Sequence, residues 1–348
     1  MKPMISCIVS SYNTDPKMLE EAINSVLEQS YRDFELILID DCSTNEESRK
    51  LIEKYEKKDE RIIALYNERN IGLAASLNNG LNIARGKYIA RFDADDICML
   101  NRFEIQVRYM EENPDIDLCS TFMELIGEKQ GCVTSIFYDC KSVAAQLLFS
   151  CYIPHNTIMF RKDFFDVNDL RYDSKYEKTE DFDLWTRCIE KGAEIATIPQ
   201  VLVKYRIHLQ SVCHTQKSAQ QILAQQICCR QLKNIGLMLS PEDISLHMIL
   251  CTSNGLNCKN YPDLKKWCRK LIETNNTVRY YDKKVFFEVV YNRLFIAVLK
   301  SDIKRRTKLK IIFLNRNLFC CKNIYSITYK KIYPILHKMK RHRGLNNV

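Results

Sequence analysis

Residues 87–96 read Lys87-Tyr88-Ile89-Ala90-Arg91-Phe92-Asp93-Ala94-Asp95-Asp96. The first six of these residues predict a β-strand, and the strand ends directly in a cluster of three aspartates. In a parallel α/β sheet, ligands bind beyond the carboxyl ends of the strands, which is where this cluster would lie. The stretch therefore predicts an α/β fold and marks one edge of its sheet as the place for chemistry.

The chain before this stretch alternates strand and helix patterns. Two near-continuous apolar runs, 4–10 and 34–39, have the character of strands that are covered on both faces. Between them, Asp15 and Pro16 supply an N-cap and a first-turn proline for a helix. Three more elements precede Gly86: a helix at 46–57, a strand at 61–66 and a helix with Leu73, Leu77 and Leu81 on one face. This alternation predicts βαβ units and a largely parallel sheet.

The chain after Pro114 is expected to continue with mixed elements. They are strands at 116–125 and 133–137, helices at 141–149 and 180–191, and a β segment at 194–206 with a turn at Pro199-Gln200. From about residue 215 the pattern becomes mostly helical. We therefore expect a catalytic domain over 1–214 and a mainly helical region over 215–348, with a basic tail at 303–348.

The sixteen cysteines are scattered through apolar runs without regular spacing. We interpret them as reduced core residues rather than as a disulfide framework. A zinc site is not predicted, because no Cys-x2-Cys pair lies near a His-x3-5-His pair. The N-terminus lacks a signal-peptide pattern, and no apolar run reaches the ~20 residues of a membrane span, so we expect a cytoplasmic protein.

The net charge of +9 originates in the C-terminal tail. Residues 303–348 contain thirteen Lys or Arg, no Asp or Glu, and interleaved apolar and aromatic residues. Two interpretations remain open. The tail either binds the anionic inner face of the membrane, at about 1 kcal/mol per basic residue, or forms a solvated helical appendage. No nucleic-acid module is present, so nucleic acid is not an expected partner.

Three carboxylates within four residues are costly to crowd together unless water or a cation neutralises them. Mg²⁺ or Mn²⁺ suits this sparse set, because substrate phosphates and waters complete the coordination of such ions. The alternative is a solvated turn in which Asp96 caps the following helix. Polar residues also follow the three earlier strands: Tyr12-Asn13, Asp40-Asp41-Cys42-Ser43 and residues 67–70. All four strand ends should line one crevice.

Taken in order, these motifs resemble those of glycosyltransferase family 2, whose catalytic domain has the GT-A fold. The motifs stand at residues 10–13, 25–31, 34–37, 40–41, 70–73, 86–89, 93–96, 155–162, 180–185 and 205–208. The resemblance implies a Rossmann-like, mostly parallel central sheet that is flanked by helices. It also implies an inverting, non-processive enzyme that uses a nucleotide sugar and a divalent metal.

The resemblance assigns Ser10, Tyr12 and Asp41 to the nucleoside of the donor. Tyr12 would lie against the base and Asp41 would accept from its ring N–H, a geometry that suits uracil and hence a UDP-sugar. Asn13 and Asn70 fall in the same nucleotide-sugar site. The family's general base falls on Asp181, beside Glu180 at a helix N-terminus, where the alternative role is simple helix-end electrostatics.

The resemblance gives the acidic cluster separate roles. Asp93 would face the ribose or sugar, and Asp95 would bind the Mn²⁺ or Mg²⁺ that bridges the diphosphate, with Asp93 and His208 as further metal ligands. His155 would line the acceptor side. Base catalysis by Asp181 would take a proton from an acceptor hydroxyl while the nucleotide leaves from the opposite face, which inverts the anomeric configuration.

Three departures from the family pattern stand in the nucleoside loops, at Ser10, Cys42 and Asn45. Cys42 is the most consequential, because a loop that needs positive φ is strained by a side chain. We expect transfer to a saccharide acceptor, free or lipid-linked, in surface polysaccharide synthesis. Two alternatives remain: a catalytically degenerate nucleotide-sugar-binding protein, and a sugar-nucleotide pyrophosphorylase, which normally has a Gly-rich, Arg-containing loop after its first strand.

Overall fold

The computed structural model describes residues 2–135, 137–207 and 217–314. The described chain divides into two compact units. The first unit contains the residues up to Thr134 and those from Ile153 to Gln220, and the second contains Ser135–Tyr152 and the residues from Gln221 onward. The boundary therefore differs from the one predicted near residue 214, because an internal segment of 18 residues joins the second unit.

The first unit is built on one mixed sheet, to which nine strands of the described residues contribute. The strands are β1 Ile5–Ser11, β2 Phe34–Asp40, β3 Ile62–Tyr66, β4 Tyr88–Asp93, β5 Ile97–Cys98, β6 Leu118–Gly127, β7 Gly131–Val133, β8 Met159–Arg161 and β9 Ile195–Ile207. Their order is β3-β2-β1-β4-β8-β6-β9-β5, with β7 paired to β6. The first four strands of this order are parallel, as the sequence predicts. The α/β class is confirmed.

Helices cover this sheet because their apolar residues recur on one face. The helices of the first unit are α1 Pro16–Leu27, α2 Glu46–Lys58, α3 Leu73–Ile83, α4 Arg102–Glu112, α6 Lys162–Val167 and α7 Glu180–Glu190. The α1 helix begins where Asp15 accepts from the backbone N–H groups of Lys17 and Met18, and it buries Leu19 and Ile23 against the sheet. The predicted cap and first-turn proline are thus confirmed.

The predicted turn at Pro199-Gln200 is wrong, because β9 runs through both residues. Ile198 pairs with Thr121 and Val201 pairs with Phe122, so Pro199 and Gln200 form a bulge opposite a single step of β6. Proline lacks the N–H that a ladder requires, and a bulge is one of the few places in a sheet that accepts it. A proline in an apolar run therefore indicated an irregularity, but not a chain reversal.

The predicted strand at 133–137 is also wrong, since β7 ends at Val133. The Ser135 hydroxyl donates to the Phe137 carbonyl and accepts from the Phe137 N–H, at 2.8 and 3.1 Å. Such local bonds between side chain and backbone compete with strand pairing. Phe137 belongs instead to the core of the second unit.

The second unit is helical. Its helices are α5 Cys140–Leu147, α8 Lys217–Asn234, which begins in the first unit, α9 Pro241–Thr252, α10 Tyr261–Val278, α11 Lys283–Lys300 and α12 Arg305–Leu314. Leu148 and Phe149, which follow α5, share one core with Trp267 and Phe286, and this packing explains why residues 135–152 belong here. Among the described residues, no helix combines the length and apolar character that a membrane crossing requires.

Cysteines of the described core are free thiols, as the sequence predicts. Cys7, Cys98 and Cys119 are buried within the first unit. Burial raises the pKa of Cys119 to about 12, so that thiol stays neutral and packs as a small apolar residue. Cys42 differs from them, because it is half-buried and adopts a φ of +60°.

Replacement of Cys42 by glycine should stabilise the protein. A left-handed conformation costs a residue with a β-carbon about 1–2 kcal/mol, and the larger unfolded-state entropy of glycine offsets part of that gain, so a net rise of about 0.5–1 kcal/mol is expected. Urea denaturation measures this change. Cys132→Gly in β7 is the matched control, because no positive φ is relieved there and stability should fall. Equal losses in both variants would contradict the strain at Cys42.

Candidate active site

The carboxyl ends of four parallel strands meet at one edge of the sheet. Ser11 at the end of β1 pairs with Asp40 of β2, and Asp40 pairs with Tyr66 of β3. On the other side of β1, Ser10 pairs with Asp93 of β4. The register therefore brings the polar residues that follow these strands to the same edge of the sheet, as the sequence predicts.

Asn13 ties the loop after β1 to the loop after β2. Its backbone N–H donates to the Ser43 hydroxyl at 2.9 Å, and its side-chain oxygen accepts from the backbone N–H groups of Thr44 and Asn45 at 2.8 and 3.1 Å. Tyr12 precedes it and leaves 49% of its surface exposed at the rim. These hydrogen bonds of Asn13 hold the loop that carries Tyr12, while the aromatic ring of Tyr12 is available to a planar ligand.

Asp41 is buried and fixes the loop after β3. Its carboxylate accepts from the side chain of Asn67 at 2.8 Å and from the backbone N–H groups of Ile71 and Gly72 at 3.0 and 2.9 Å. Asn70 lies exposed in the loop that these bonds hold. A carboxylate can accept about four hydrogen bonds, so these three leave capacity for one further donor. The loop-holding role of Asp41 was not foreseen from the sequence.

Arg91 and Asp93 form an ion pair at the end of β4, with 2.5 Å between guanidinium nitrogen and carboxylate oxygen. Arg91 is buried, whereas 27% of the Asp93 side chain is exposed. Burial raises the pKa of Asp93, Arg91 opposes that rise, and the negative charge of Asp95 adds to it. Sequence reasoning missed Arg91, although a charged residue within an apolar strand, two residues before Asp93 and hence on the same face, was an available signal.

Asp96 is fully buried. Its two oxygens accept from the side chain of Asn156 at 2.5 Å and from the backbone N–H of Arg206 at 2.8 Å. The next helix, α4, begins only at Arg102, so the predicted capping role of Asp96 is wrong. Two inward donors replace the helix end as the partners of this carboxylate. Burial raises the pKa of Asp96 well above its usual range, and Asp93 and Asp95 raise it further.

Arg206 joins the end of β9 to the acidic cluster. Its guanidinium donates to the backbone carbonyl of Asp95 at 2.8 Å and forms an ion pair with Glu21 at 2.5 Å. Ile207, the next residue, is the last described residue of this strand. His208, predicted as a metal ligand, lies outside the described residues. Arg206 and Asn156 both stand in motifs that the sequence had singled out, yet their link to Asp96 became evident only in the structure.

The donor set of the acidic cluster fits a hard divalent cation. Asp93 and Asp95 are both partly exposed, and Asp93 lies at the sheet edge where a ligand would bind. Oxygen ligands of this kind suit Mg²⁺ and Mn²⁺. Burial is the main cause of the raised pKa values of Asp93 and Asp96, and repulsion among the carboxylates adds to it; that repulsion is a cost that a bound cation would relieve.

Glu180 and Asp181 open the helix α7. Glu180 is buried, and burial followed by the charge of Asp181 raises its pKa to about 7. Asp181 is half-buried, and its carboxylate accepts from the N–H of Phe182 at 2.7 Å. The helix N-terminus favours the ionised form of a carboxylate, so this pair combines one acid that is easily protonated with a second at the helix end.

His155 is held as a neutral ring. Its Nε2 atom lies 2.8 Å from the Tyr172 hydroxyl, and its ring packs edge-on against Trp185. Burial, together with the positive charge of Arg91, lowers the pKa of His155 well below its usual range. The adjacent Asn156 contacts Asp96, so the 3₁₀ turn His155–Thr157 connects this ring to the acidic cluster.

Comparisons with known proteins agree with this architecture. The model of glycosyl transferase family 2 matches residues 6–166. An uncharacterised glycosyltransferase from Methanocaldococcus jannaschii is 38% identical over 210 residues, which cover 59% of this chain and 71% of that protein. The O-antigen biosynthesis glycosyltransferase WbnJ from Escherichia coli is 32% identical over 219 residues, which cover 62% of this chain and 83% of WbnJ.

The fold also resembles solved glycosyltransferases. The crystal structure of S. aureus TarS 1–349 in complex with UDP-GlcNAc superposes with a TM-score of 0.57 and 18% sequence identity, and the match covers 88% of each chain. At this level of identity the likeness concerns the fold alone.

The pKa of Glu180 makes stability depend on pH. Its native pKa of about 7 exceeds the ordinary value of 4.5, so the native state retains a proton that the unfolded chain releases. The free energy of unfolding should therefore fall as pH rises from about 4.5 to about 7 and level off above that range. The total loss is on the order of 3 kcal/mol, at about 1.4 kcal/mol per pKa unit.

Glu180→Gln removes this titration. The variant should be more stable than the original protein by on the order of 1–3 kcal/mol at about pH 8, and the difference should vanish at about pH 4. Denaturant unfolding at both pH values measures the effect. Glu190→Gln, which removes an exposed carboxylate from the other end of α7, should show no such pH dependence. A stability difference of Glu180→Gln that does not change with pH would contradict the raised pKa.

Proposed function

This chain belongs to glycosyltransferase family 2 and adopts the GT-A fold, and we propose that it moves a sugar from a UDP-sugar to a hydroxyl of a saccharide with inversion. The observation that carries the proposal is the register of the four strand ends. That register sets the loop of Tyr12 and the buried Asp41 beside the carboxylates of Asp93 and Asp95. A nucleoside diphosphate needs an aromatic surface for its base and a cation for its phosphates. Tyr12 at this edge of the sheet suits the base, and the carboxylates beside it suit the cation.

The nucleoside part of the proposed site consists of Ser10, Tyr12 and Asp41. Tyr12 is exposed at the rim, and Asp41 retains acceptor capacity that the ring N–H of uracil would use. Asn13 holds the Tyr12 loop, and Asn70 lies in the loop that Asp41 holds. The UDP-GlcNAc complex of TarS, which shares this fold, supports a nucleotide sugar as the donor.

The diphosphate part of the proposed site consists of Asp93 and Asp95. These carboxylates, with His208 as a further predicted ligand, would hold Mn²⁺ or Mg²⁺, which stabilises the charge that develops on the leaving diphosphate. Arg91 holds Asp93 in place through their ion pair, and Arg206 holds the backbone carbonyl of Asp95. These two contacts hold the acidic cluster, and Asp95 is partly exposed.

The acceptor part of the proposed site depends on Asp181 at the start of α7. As the general base, Asp181 takes the proton of the acceptor hydroxyl while that oxygen attacks the anomeric carbon. Glu180 stands beside it with a pKa near neutrality, so its charge changes in the range where the enzyme would work. Neutral His155, tied to Tyr172, provides the wall of the acceptor side.

Turnover of nucleotide sugars tests the function directly. The protein is incubated with UDP-, GDP- and dTDP-sugars with Mn²⁺ or Mg²⁺, and the released nucleoside diphosphate is measured. We expect metal-dependent release from a UDP-sugar, abolished by a chelator and restored by added Mn²⁺. Binding of donors without release under any condition would identify a degenerate binding protein, and formation of a nucleotide sugar from a sugar phosphate would identify a pyrophosphorylase. Either result would contradict the proposal.

Asp181→Asn separates catalysis from donor binding. Loss of a general base costs about 10²- to 10⁴-fold in turnover, whereas the Kd for the donor should stay unchanged because the proposed role of Asp181 is on the acceptor side. Turnover and calorimetric binding are measured on the same preparation. Asp163→Asn, which removes an exposed carboxylate of α6, is the control and should retain full activity. Full activity of Asp181→Asn would show that the base is misassigned.

A lipid-linked acceptor is a further part of the proposal, and α12 supports it. This helix presents the exposed basic residues Arg305, Arg306 and Lys310 together with Leu314, which is 82% exposed. Basic residues close to an anionic lipid surface contribute about 1 kcal/mol each. The O-antigen role in the name of WbnJ agrees with synthesis of a surface polysaccharide. The remainder of the predicted tail, residues 315–348, lies outside the described residues.

Sedimentation with vesicles measures this membrane association. We expect binding to vesicles that contain anionic lipid, weaker binding at high salt, and no binding to neutral vesicles. Arg305→Glu with Arg306→Glu should weaken binding by more than about tenfold. Lys57→Glu with Lys58→Glu, on the exposed end of α2, reverses the same charge elsewhere and should bind normally. Equal binding to neutral and anionic vesicles, or equal loss in both double variants, would contradict an anionic surface as the partner of α12.

A further inference from the structure

Two cysteines and one histidine converge within the helical second unit. Cys228 lies on α8, while His247 and Cys251 lie one helical turn apart on α9. One ligand atom from each residue lies within 4.8 Å of the others, and the two sulfur atoms are 3.9 Å apart. Cys228 and His247 are buried, and Cys251 is half-buried. None of these residues takes part in the proposed transfer reaction.

We propose that Cys228, His247 and Cys251 bind one Zn²⁺ ion. Cysteine sulfur and imidazole nitrogen are the preferred ligands of zinc, and three protein ligands leave one tetrahedral position for water. The ion would join α8 to α9. Such a link would stabilise the second unit, because the ligands come together only when the chain is folded.

The sulfur separation fits a shared metal ion. Two sulfur atoms that each lie about 2.3 Å from a tetrahedral zinc ion are about 3.8 Å apart. The 3.9 Å between Cys228 Sγ and Cys251 Sγ is close to this value and far from the about 2.05 Å of a disulfide. The two thiols therefore already stand at the spacing that zinc requires.

The imidazole ring is held as a metal-binding histidine usually is. Its Nε2 atom lies 3.0 Å from the carbonyl oxygen of Leu148, and Phe149 stacks on the ring at 5.1 Å. A proton on Nε2 that is donated to a carbonyl leaves a lone pair on Nδ1, which is the usual arrangement around a bound metal. The indole N–H of Trp267 faces Nδ1 at 3.4 Å. Zinc binding at Nδ1 therefore requires the buried Trp267 indole to turn away from the imidazole ring.

Zinc and its two thiolate ligands together carry no net charge. Binding releases the two thiol protons to solvent, and the two thiolates then neutralise the divalent ion. Arg293 is the buried cation nearby, and its guanidinium is engaged by the carbonyl oxygens of Leu250 and Cys251 and by the Tyr152 hydroxyl. It therefore stands beside the cluster without occupying the ligand atoms. The spacing rule applied to the sequence missed the cluster because Cys228 comes from a separate helix.

Cobalt substitution tests the proposal on the whole chain. The reduced protein is freed of metal by a chelator and titrated with Co²⁺, which gives a thiolate-to-cobalt charge-transfer band only when cysteine sulfur is a ligand. The carboxylates of the first unit cannot produce that band. We expect the band to saturate at one Co²⁺ per chain and to disappear when an equimolar amount of Zn²⁺ is added. Absence of the band in the wild-type protein would overturn the proposal.

Matched variants locate the ligands. Cys251→Ser and His247→Gln should each lower the affinity for Co²⁺ at least tenfold, whereas Cys229→Ser, next to Cys228 on the same helix, should bind normally. Because a core variant can fail to fold, the thermal midpoint of the wild-type protein is also measured with Zn²⁺ and with a chelator, and Zn²⁺ should raise it. Undiminished binding in Cys251→Ser, or an unchanged midpoint, would show that the residues are merely packed core groups.

Discussion

The ion pair between Arg91 and Asp93 sets the character of the candidate active site. A buried guanidinium lies beside a partly exposed carboxylate at the end of β4, with 2.5 Å between their charged atoms. Removing two charges from water is costly, and the attraction between them compensates only when the geometry is good. The pair offsets the charge of one carboxylate, and Asp95 and Asp96 bring two further carboxyl groups into the same turn. The cluster is therefore poised for an additional positive charge, which a divalent cation would supply.

The loops around this cluster are held by polar side chains rather than by apolar packing. Asn13 bridges the first two loops, Asp41 holds the third, and Asp96 connects the fourth to Asn156 and to the end of β9 at Arg206. Each of these acceptors binds backbone N–H groups or a buried amide, and such bonds are expensive to break without replacement. The edge of the sheet is thus preorganised before a substrate arrives, which is the condition under which electrostatic stabilisation of a leaving group is most effective.

Local patterns predicted the β1–β4 half of the sheet and the edge that carries the candidate site, because strand ends, caps and buried runs depend on neighbouring residues. Long-range partners were not predictable. The contacts of Asp96 with Asn156 and Arg206 join residues 60 and 110 positions apart, so the sequence indicated a helix cap instead. Pro199 signalled an irregularity whose form depended on the register with β6. Residues 135–152 joined the second unit because Phe137 and Phe149 found their apolar partners there.

Electron paramagnetic resonance of Mn²⁺ tests the central claim, which is that the carboxylates of Asp93 and Asp95 bind a divalent cation together with a diphosphate. Free Mn²⁺ gives a strong signal that is lost on binding, so the bound ion is counted directly with and without UDP. The account predicts weak binding to the protein alone, tight binding of one Mn²⁺ per chain when UDP is present, and loss of that tight binding in Asp95→Asn. Mn²⁺ binding that is indifferent to UDP, or unchanged in Asp95→Asn, would contradict it.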